Sequence, residues 1–184
     1  MDELLLKDAL ADLNLYRDFI IKHDIHEAIE SSSNYLAALG LSTYTEVFGG
    51  FYRGDLSKGN SKKNYYAFIE NFFHEEYMDV DAQLVDDGLE GLYGAVRSGL
   101  VHEYLIKDKS IVVMYSKTPI NCGIIYCPNG IPSITFVVDQ YFADFKDAFT
   151  QYYHRIQEEE VLLMKFVKAL KSINSNLPRS KKIL

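Results

Sequence analysis

The chain has 184 residues, of which 48% are hydrophobic and 24% charged, and its formal net charge is −7. This length predicts one domain with a sizeable core, and the acidic balance argues against broad, non-specific nucleic-acid binding while leaving room for a small basic pocket. No apolar run is long enough for a membrane span, and the Met-Asp-Glu start lacks the basic segment of a secretory signal. Cys122 and Cys127 have an odd separation that disfavours a mutual disulfide, so reduced thiols in the cytoplasm are expected.

The first elements are predicted to be two helices. Apolar residues at helical spacing predict one over residues 2–22 and another from Asp24 or Ile25 to Leu39, with Gly40 as its C-terminal stop. Between them, His23 and His26 form a His-x-x-His pair. Because no further ligand of known spacing follows, the pair is interpreted as a solvated helix junction, and no metal or other cofactor is predicted.

Residues 49–63 are rich in Gly, Ser, Asn and charge, which predicts a surface loop. Gly54-x4-Gly59 is reminiscent of a phosphate-binding loop but lacks the Lys and Ser/Thr that should follow it. The basic residues of this region are Arg53, Lys58, Lys62 and Lys63. They either solvate the loop or help to hold an anion, which makes Arg53 and Lys58 candidate substrate-binding residues.

The next helix, over about residues 63–77, has a strongly aromatic face that is expected in the core. Asp79 or Asp81 is predicted to cap the following helix, which extends to about residue 106. Three runs rich in β-branched residues then predict strands over residues 111–115, 122–126 and 133–138. A last long helix runs from Asp139 to about Ser172 with room for one break, and its Glu158-Glu159-Glu160 run is interpreted as a solvated turn of helix.

The predicted fold is therefore mainly α. It is an antiparallel helical bundle, with a small three-stranded antiparallel β-meander inserted before the last long helix. The whole chain, 1–184, is predicted to be a single domain, with residues 111–138 as the β-meander insertion.

The stretch from Gly91 to Ile106 carries three side chains that could act on a phosphodiester: Arg97, His102 and Tyr104. On an ideal helix Arg97 and Tyr104 share a face to within roughly 20°, whereas His102 lies roughly 140° away from Arg97. Arg97 and His102 can converge only if the helix bends or ends nearby, or if a second copy of the chain supplies one of them. Gly99 lies between the two and would permit a bend.

This spacing resembles the signature of the HEPN superfamily, an Arg followed after four to six residues by a His. It is most similar to the toxin-type subgroup, in which a Tyr follows two positions after the His. Ser98 departs from the Asn, Asp or His that active members often carry after the Arg, and it is a candidate substrate-binding residue. The resemblance implies a small helical bundle that forms a homodimer with the motif at the dimer cleft. It also implies metal-independent endoribonuclease activity of toxin or defence type, and a partner antitoxin or nucleotidyltransferase that modifies the Tyr, here Tyr104.

Two functions from different classes follow. In the first, Arg97 binds the phosphate, His102 transfers protons, and Tyr104 positions the phosphate or His102, so that an RNA substrate is cleaved. In the second, the chain is a non-catalytic binding or dimerisation module. Arg97 would then make a buried hydrogen bond or ion pair with Glu90 or Asp87. His102 would satisfy a carbonyl group, and Tyr104 would pack.

Overall fold

A computed structural model describes residues 3–102, 111–129 and 132–176 of the chain. In these ranges the protein is mainly helical, as predicted, and every helix is too short or too polar to cross a lipid bilayer. The helical segments are α1 (Glu3–Phe19), π1 (Ile20–Asp24), α2 (Ile25–Glu30), α3 (Asn34–Arg53), α4 (Ser61–Phe72), α5 (Glu76–Asp86), π2 (Tyr93–Ser98), α6 (Gly99–His102), α7 (Val138–Glu158) and α8 (Glu160–Asn176). The strands are β1 (Ile111–Val113), β2 (Ile124–Cys127) and β3 (Ser133–Val137).

The first helices do not end where the sequence predicted. The chain turns between α2 and α3 at Ser31–Ser33, where Ser32 has a positive φ of 57°, and α3 passes through Gly40. The predicted stop at Gly40 is therefore wrong. A Cβ atom at Gly40 would lie 2.8 Å from Cδ1 of Ile25, so this glycine serves close packing of α2 on α3 rather than helix termination.

The segment predicted as a loop, residues 49–63, is a loop only between α3 and α4, over residues 54–60. Gly49 and Gly50 lie inside α3, and the backbone carbonyl of Asn64 occupies the space that a Cβ atom of Gly49 would need. The helix ends at Gly54, whose φ of 73° is the left-handed conformation that favours glycine at this position. Gly49 and Gly50 therefore mark a close contact of α3 with the start of α4 and the loop before it.

An aromatic core joins α3, α4 and α7, and it includes the face of α4 that the sequence predicted to be buried. Phe48 on α3 is fully buried, and its ring lies 5.2 to 6.3 Å from those of six neighbours. These neighbours are Tyr16, Phe51, Phe68, Phe145, Phe149 and Tyr152. The large, closely packed rings bury apolar area that stabilises this part of the fold.

The sheet is mixed, with strand order β1-β3-β2, so the predicted antiparallel meander is wrong. β3 pairs with β2 in antiparallel register and with β1 in parallel register. The cause lies in the connection over residues 114–123, which is too long to be a tight hairpin. At its end the Gly123 N–H donates to the Tyr77 hydroxyl at 2.9 Å, and the Gly123 carbonyl accepts from Val137 N at 2.8 Å. These contacts hold the start of β2 on the side of β3 opposite to β1.

The last long helix is divided in two at Glu159, which has extended backbone angles (φ −109°, ψ 100°). The Glu158-Glu159-Glu160 run is exposed, as predicted, but it forms a corner rather than a continuous turn of helix. Arg155, one turn earlier, donates to both carboxylate oxygens of Glu159 at 2.6 and 3.2 Å. The corner lets α8 fold back against α3 and α7.

Candidate functional site

The motif helix, residues 91–102, begins as a separate segment rather than as a continuation of α5. Asp81 lies inside α5 instead of capping it, and its Oδ1 accepts the Leu92 backbone N–H at 2.7 Å and the Tyr66 hydroxyl at 2.6 Å. The first amides of a helix have no partner within the helix, so this carboxylate satisfies one of them. The start of the motif helix is thus fixed to both α4 and α5.

Gly91 is required by this junction. Its φ is 70°, and a Cβ atom here would lie 2.6 Å from Oδ1 of Asp81 and 2.8 Å from the Tyr66 hydroxyl. We expect Gly91→Ala to lower the free energy of unfolding by about 1–3 kcal/mol, measured by urea denaturation. Gly88→Ala is the matched control, because Gly88 also has a positive φ (80°) but open space around it. An equal loss in the two variants would contradict a role for the Asp81 contact.

Arg97 lies on π2, a π-helical stretch that begins at Tyr93 and ends at Ser98. A π turn contains one more residue than an α turn, so the step from Arg97 to Ser98 turns by less than in an ideal helix, whereas Gly99 to His102 are α-helical. Gly99, which would permit a bend, has helical backbone angles (φ −58°, ψ −50°). The backbone of His102 is helical, whereas its side chain and the whole of Tyr104 lie outside the described residues.

Arg97 contacts Glu46 of α3. Its Nε atom is 2.6 Å from Oε2 of Glu46, and the two side chains are 13% and 16% exposed. The two atoms are buried and are not aligned as a hydrogen bond, so the contact is a close ion pair in which distance, rather than direction, is favourable. Among the described residues, Nη1 and Nη2 of Arg97 have no acceptor, and they are not sealed from solvent. The guanidinium is thus held by Glu46 at its Nε atom, and 13% of the Arg97 side chain is exposed.

A second contact also joins α3 to the motif helix. The Tyr35 hydroxyl donates to the backbone carbonyl of Leu100 in α6. Together with the Glu46–Arg97 pair, it fixes the motif helix along α3 at two points. The surface that carries Arg97 is therefore positioned by α3, an element that sequence reasoning did not connect with the motif.

Asp87 and Glu90, the acidic residues predicted to pair with a structural Arg97, make other contacts. Asp87 accepts the Tyr126 hydroxyl at 2.6 Å, and Glu90 lies beside Gly94, one turn back along the motif helix. Sequence reasoning missed Glu46. One signal was available, since Glu46 and Arg53 are the only charged residues in the 20 residues of α3.

The other predicted substrate-binding residues are dispersed. Ser98 is half-buried at the end of π2. Arg53 lies two turns beyond Glu46 on α3, and its Nη1 donates to Oδ1 of Asn64 at 2.5 Å, which ties α3 to α4. Lys58 is exposed on the 54–60 loop. That loop is organised by Asp55, whose Oδ1 accepts the Ser57 backbone N–H at 2.9 Å.

A buried polar cluster lies next to the sheet. Asp144 is 3% exposed and accepts the Tyr77 hydroxyl at 2.6 Å and the Gln140 amide at 2.8 Å, while Nε2 of the exposed His74 lies 3.9 Å away. Burial raises the pKa of the neighbouring Cys122 thiol to about 12, so this thiol stays protonated at neutral pH and is a poor nucleophile. The cluster holds the sheet on α5 and α7. Cys122 and Cys127 are both free thiols.

Within the described ranges, no group of three or more His, Cys, Asp or Glu side chains could hold a metal ion. Comparison with known proteins gave no match: no family model fits this chain, and no curated protein or solved structure is significantly similar to it.

Proposed function

We propose that the protein is a metal-independent endoribonuclease of toxin or defence type, built on a HEPN-like antiparallel helical bundle. Arg97 binds the scissile phosphate and His102 transfers protons at a cleft between two copies of the chain. Tyr104 positions the phosphate or His102. The observation that carries the proposal is the state of Arg97, a guanidinium oriented by Glu46 with its Nη donors free of protein acceptors among the described residues.

The π turn supports this assignment. Such turns are rare and are often found at functional sites, because they change the direction of side chains at a cost in helix stability. Here the π turn contains Arg97 and ends four residues before His102. The Arg97–Glu46 contact also favours phosphate binding. An arginine that is already held at one edge of its guanidinium loses less side-chain freedom when a phosphate oxygen binds the other edge.

The proposed chemistry needs only the groups of the motif. The ribose 2′-hydroxyl attacks the adjacent phosphorus, an O2′–P bond forms, and the P–O5′ bond breaks. The products are a 2′,3′-cyclic phosphate and a 5′-hydroxyl. The neutral imidazole of His102 accepts the 2′ proton and, as an imidazolium, gives it to the leaving 5′ oxygen. Arg97 stabilises the extra negative charge on the phosphorane.

A mixing experiment tests the activity and the shared cleft together. RNA cleavage in EDTA is measured for the wild type, Arg97→Ala, His102→Ala, and an equal mixture of the two variants refolded together. If each site takes Arg97 from one chain and His102 from the other, half of the dimers regain one of two sites, so the mixture recovers about a quarter of the wild-type rate. No cleavage by the wild type would refute the nuclease. Active wild type with an inactive mixture would place each site within a single chain.

The burial of Arg97 favours a second candidate function, a non-catalytic binding or dimerisation module in which the Glu46–Arg97 pair is structural. Removing one member of a largely buried pair leaves the other charge unpaired, which is destabilising. This module requires Arg97→Ala to unfold at lower urea concentration than the wild type while an Arg97→Ala, Glu46→Ala double variant regains stability. If the protein is a nuclease, Arg97→Ala and the double variant should both fail to cleave RNA, whatever their stability.

A partner follows from the proposed class of protein. An antitoxin or nucleotidyltransferase would act by modifying the Tyr104 hydroxyl, and a nucleotide attached there would block the phosphate site. Mass spectrometry of the protein after incubation with such an enzyme and ATP would detect the added nucleotide, and a Tyr104→Phe variant would remain unmodified.

A further inference from the structure

A cleft of about 300 Å³ lies between the π1–α2 region and α7. Among the described residues, its lining consists of Ile21, Lys22, His26, Phe142 and Lys146. Every polar side chain in this set is basic, although the whole chain carries a net charge of −7. A cleft of this size is at the lower end of the range for small-molecule sites, and its lining selects for negative charge.

The lining of the cleft comes from two segments of the chain, the π1–α2 region and α7. Phe142 and Lys146 are four positions apart on α7 and share a helix face, whereas Lys22 on π1 and His26 on α2 line the other side of the cleft. Nζ of Lys146 lies 4.6 Å from the centre of the Phe142 ring. Ile21 and Phe142 are half-buried and supply the apolar part of the lining.

Nearby carboxylates do not neutralise the whole set. Asp18 pairs with Lys22 at 2.8 Å, and the Asp24 carboxylate accepts the Tyr44 hydroxyl at 2.7 Å. In the described part of the chain, neither Lys146 nor His26 has an ion-pair partner. Lys146 and His26 are therefore available to an anion. Lys22 would leave its ion pair with Asp18 to bind the anion.

We propose that this cleft binds a phosphate monoester carried on a planar apolar group, with a mononucleotide as the representative ligand. The phosphate would lie between Lys146 on one side and Lys22 and His26 on the other. The planar group would pack on Phe142 and Ile21. This site shares no residue with the Arg97–His102 motif, so it is independent of the proposed nuclease activity.

The test is calorimetric titration of the full chain with adenosine monophosphate, inorganic phosphate and adenosine. We expect saturable binding of the monophosphate, weaker binding of phosphate, and none of adenosine. Lys146→Glu should weaken monophosphate binding about tenfold or more, and Lys146→Arg should retain it. Lys117→Glu, at an exposed lysine outside the cleft, makes the same charge change as a matched control.

Three results would overturn the proposal: no saturable binding, equal affinity for phosphate and the monophosphate, or equal weakening by Lys146→Glu and Lys117→Glu. Because Lys146 is exposed on α7, Lys146→Glu should fold normally, and circular dichroism of each variant checks this. If Lys146→Glu fails to fold, Lys22→Glu, at an exposed lysine, makes the same charge change from the opposite side of the cleft.

Discussion

Replacing His102 by Ala is expected to lower the rate of RNA cleavage by about 10² to 10⁴-fold, the range typical for loss of a general acid or base. The proposed reaction needs a proton taken from the 2′-hydroxyl and one given to the 5′ oxygen. Neither Arg97 nor Tyr104 can replace an imidazole in this role at neutral pH, since the unperturbed pKa values of arginine and tyrosine side chains lie far above 7. The measurement is cleavage of a labelled RNA in EDTA under single-turnover conditions.

His154→Ala is the control for this prediction. His154 is exposed on α7, so its loss removes an imidazole without touching the motif helix, and cleavage should stay at the wild-type rate. Equal rates for wild type and His102→Ala would show that the activity belongs to a contaminant or to another site. Expression of the two variants in cells offers a second readout, because a toxin that acts by cleaving RNA should lose toxicity only with His102.

Phe48→Ala is expected to lower the free energy of unfolding by about 3–5 kcal/mol, a large part of the 5–15 kcal/mol of a typical domain. The Phe48 side chain is fully buried on α3 and packs among rings from α1, α4 and α7 as well as α3. Its removal would leave a cavity that these elements cannot close without moving apart. Urea denaturation followed by circular dichroism measures the loss.

Phe19→Ala is the matched control for Phe48→Ala, because the same side chain is removed from a position that is 59% exposed at the end of α1. Its effect should stay within about 0.5 kcal/mol, as for most surface substitutions. If the two variants lose similar stability, the aromatic cluster around Phe48 is not the centre of the core.

Periodicity predicted most helices and the aromatic core because it depends on local spacing. Residues at helical spacing on α4, such as Phe68 and Phe72, are buried as expected. Helix ends were harder to predict, because glycine both terminates helices and permits close contact between them. Gly54 ends α3, whereas Gly40 and Gly49 lie within it against neighbouring side-chain or backbone atoms. The sequence around each glycine does not distinguish these cases.

The strand order and the partner of Arg97 could not be read from local sequence because both depend on contacts between distant segments. The position of β2 beyond β3 depends on Gly123 and the hydroxyl of Tyr77, which is 46 residues away. In the same way, Arg97 pairs with Glu46, 51 residues earlier, rather than with the nearby Asp87 or Glu90 considered from the sequence. The motif residues themselves were identifiable because their spacing is local.

The contact at Gly49 has a mechanical consequence. Since the Asn64 carbonyl fills the position of the missing Cβ atom, α3 and α4 meet backbone to backbone, and neither helix can slide along the other without a collision. Arg53 and Asn64 add a side-chain tie at the same joint. We therefore expect the two helices to move as one rigid body, with any rearrangement that accompanies ligand binding confined to the segments around that body.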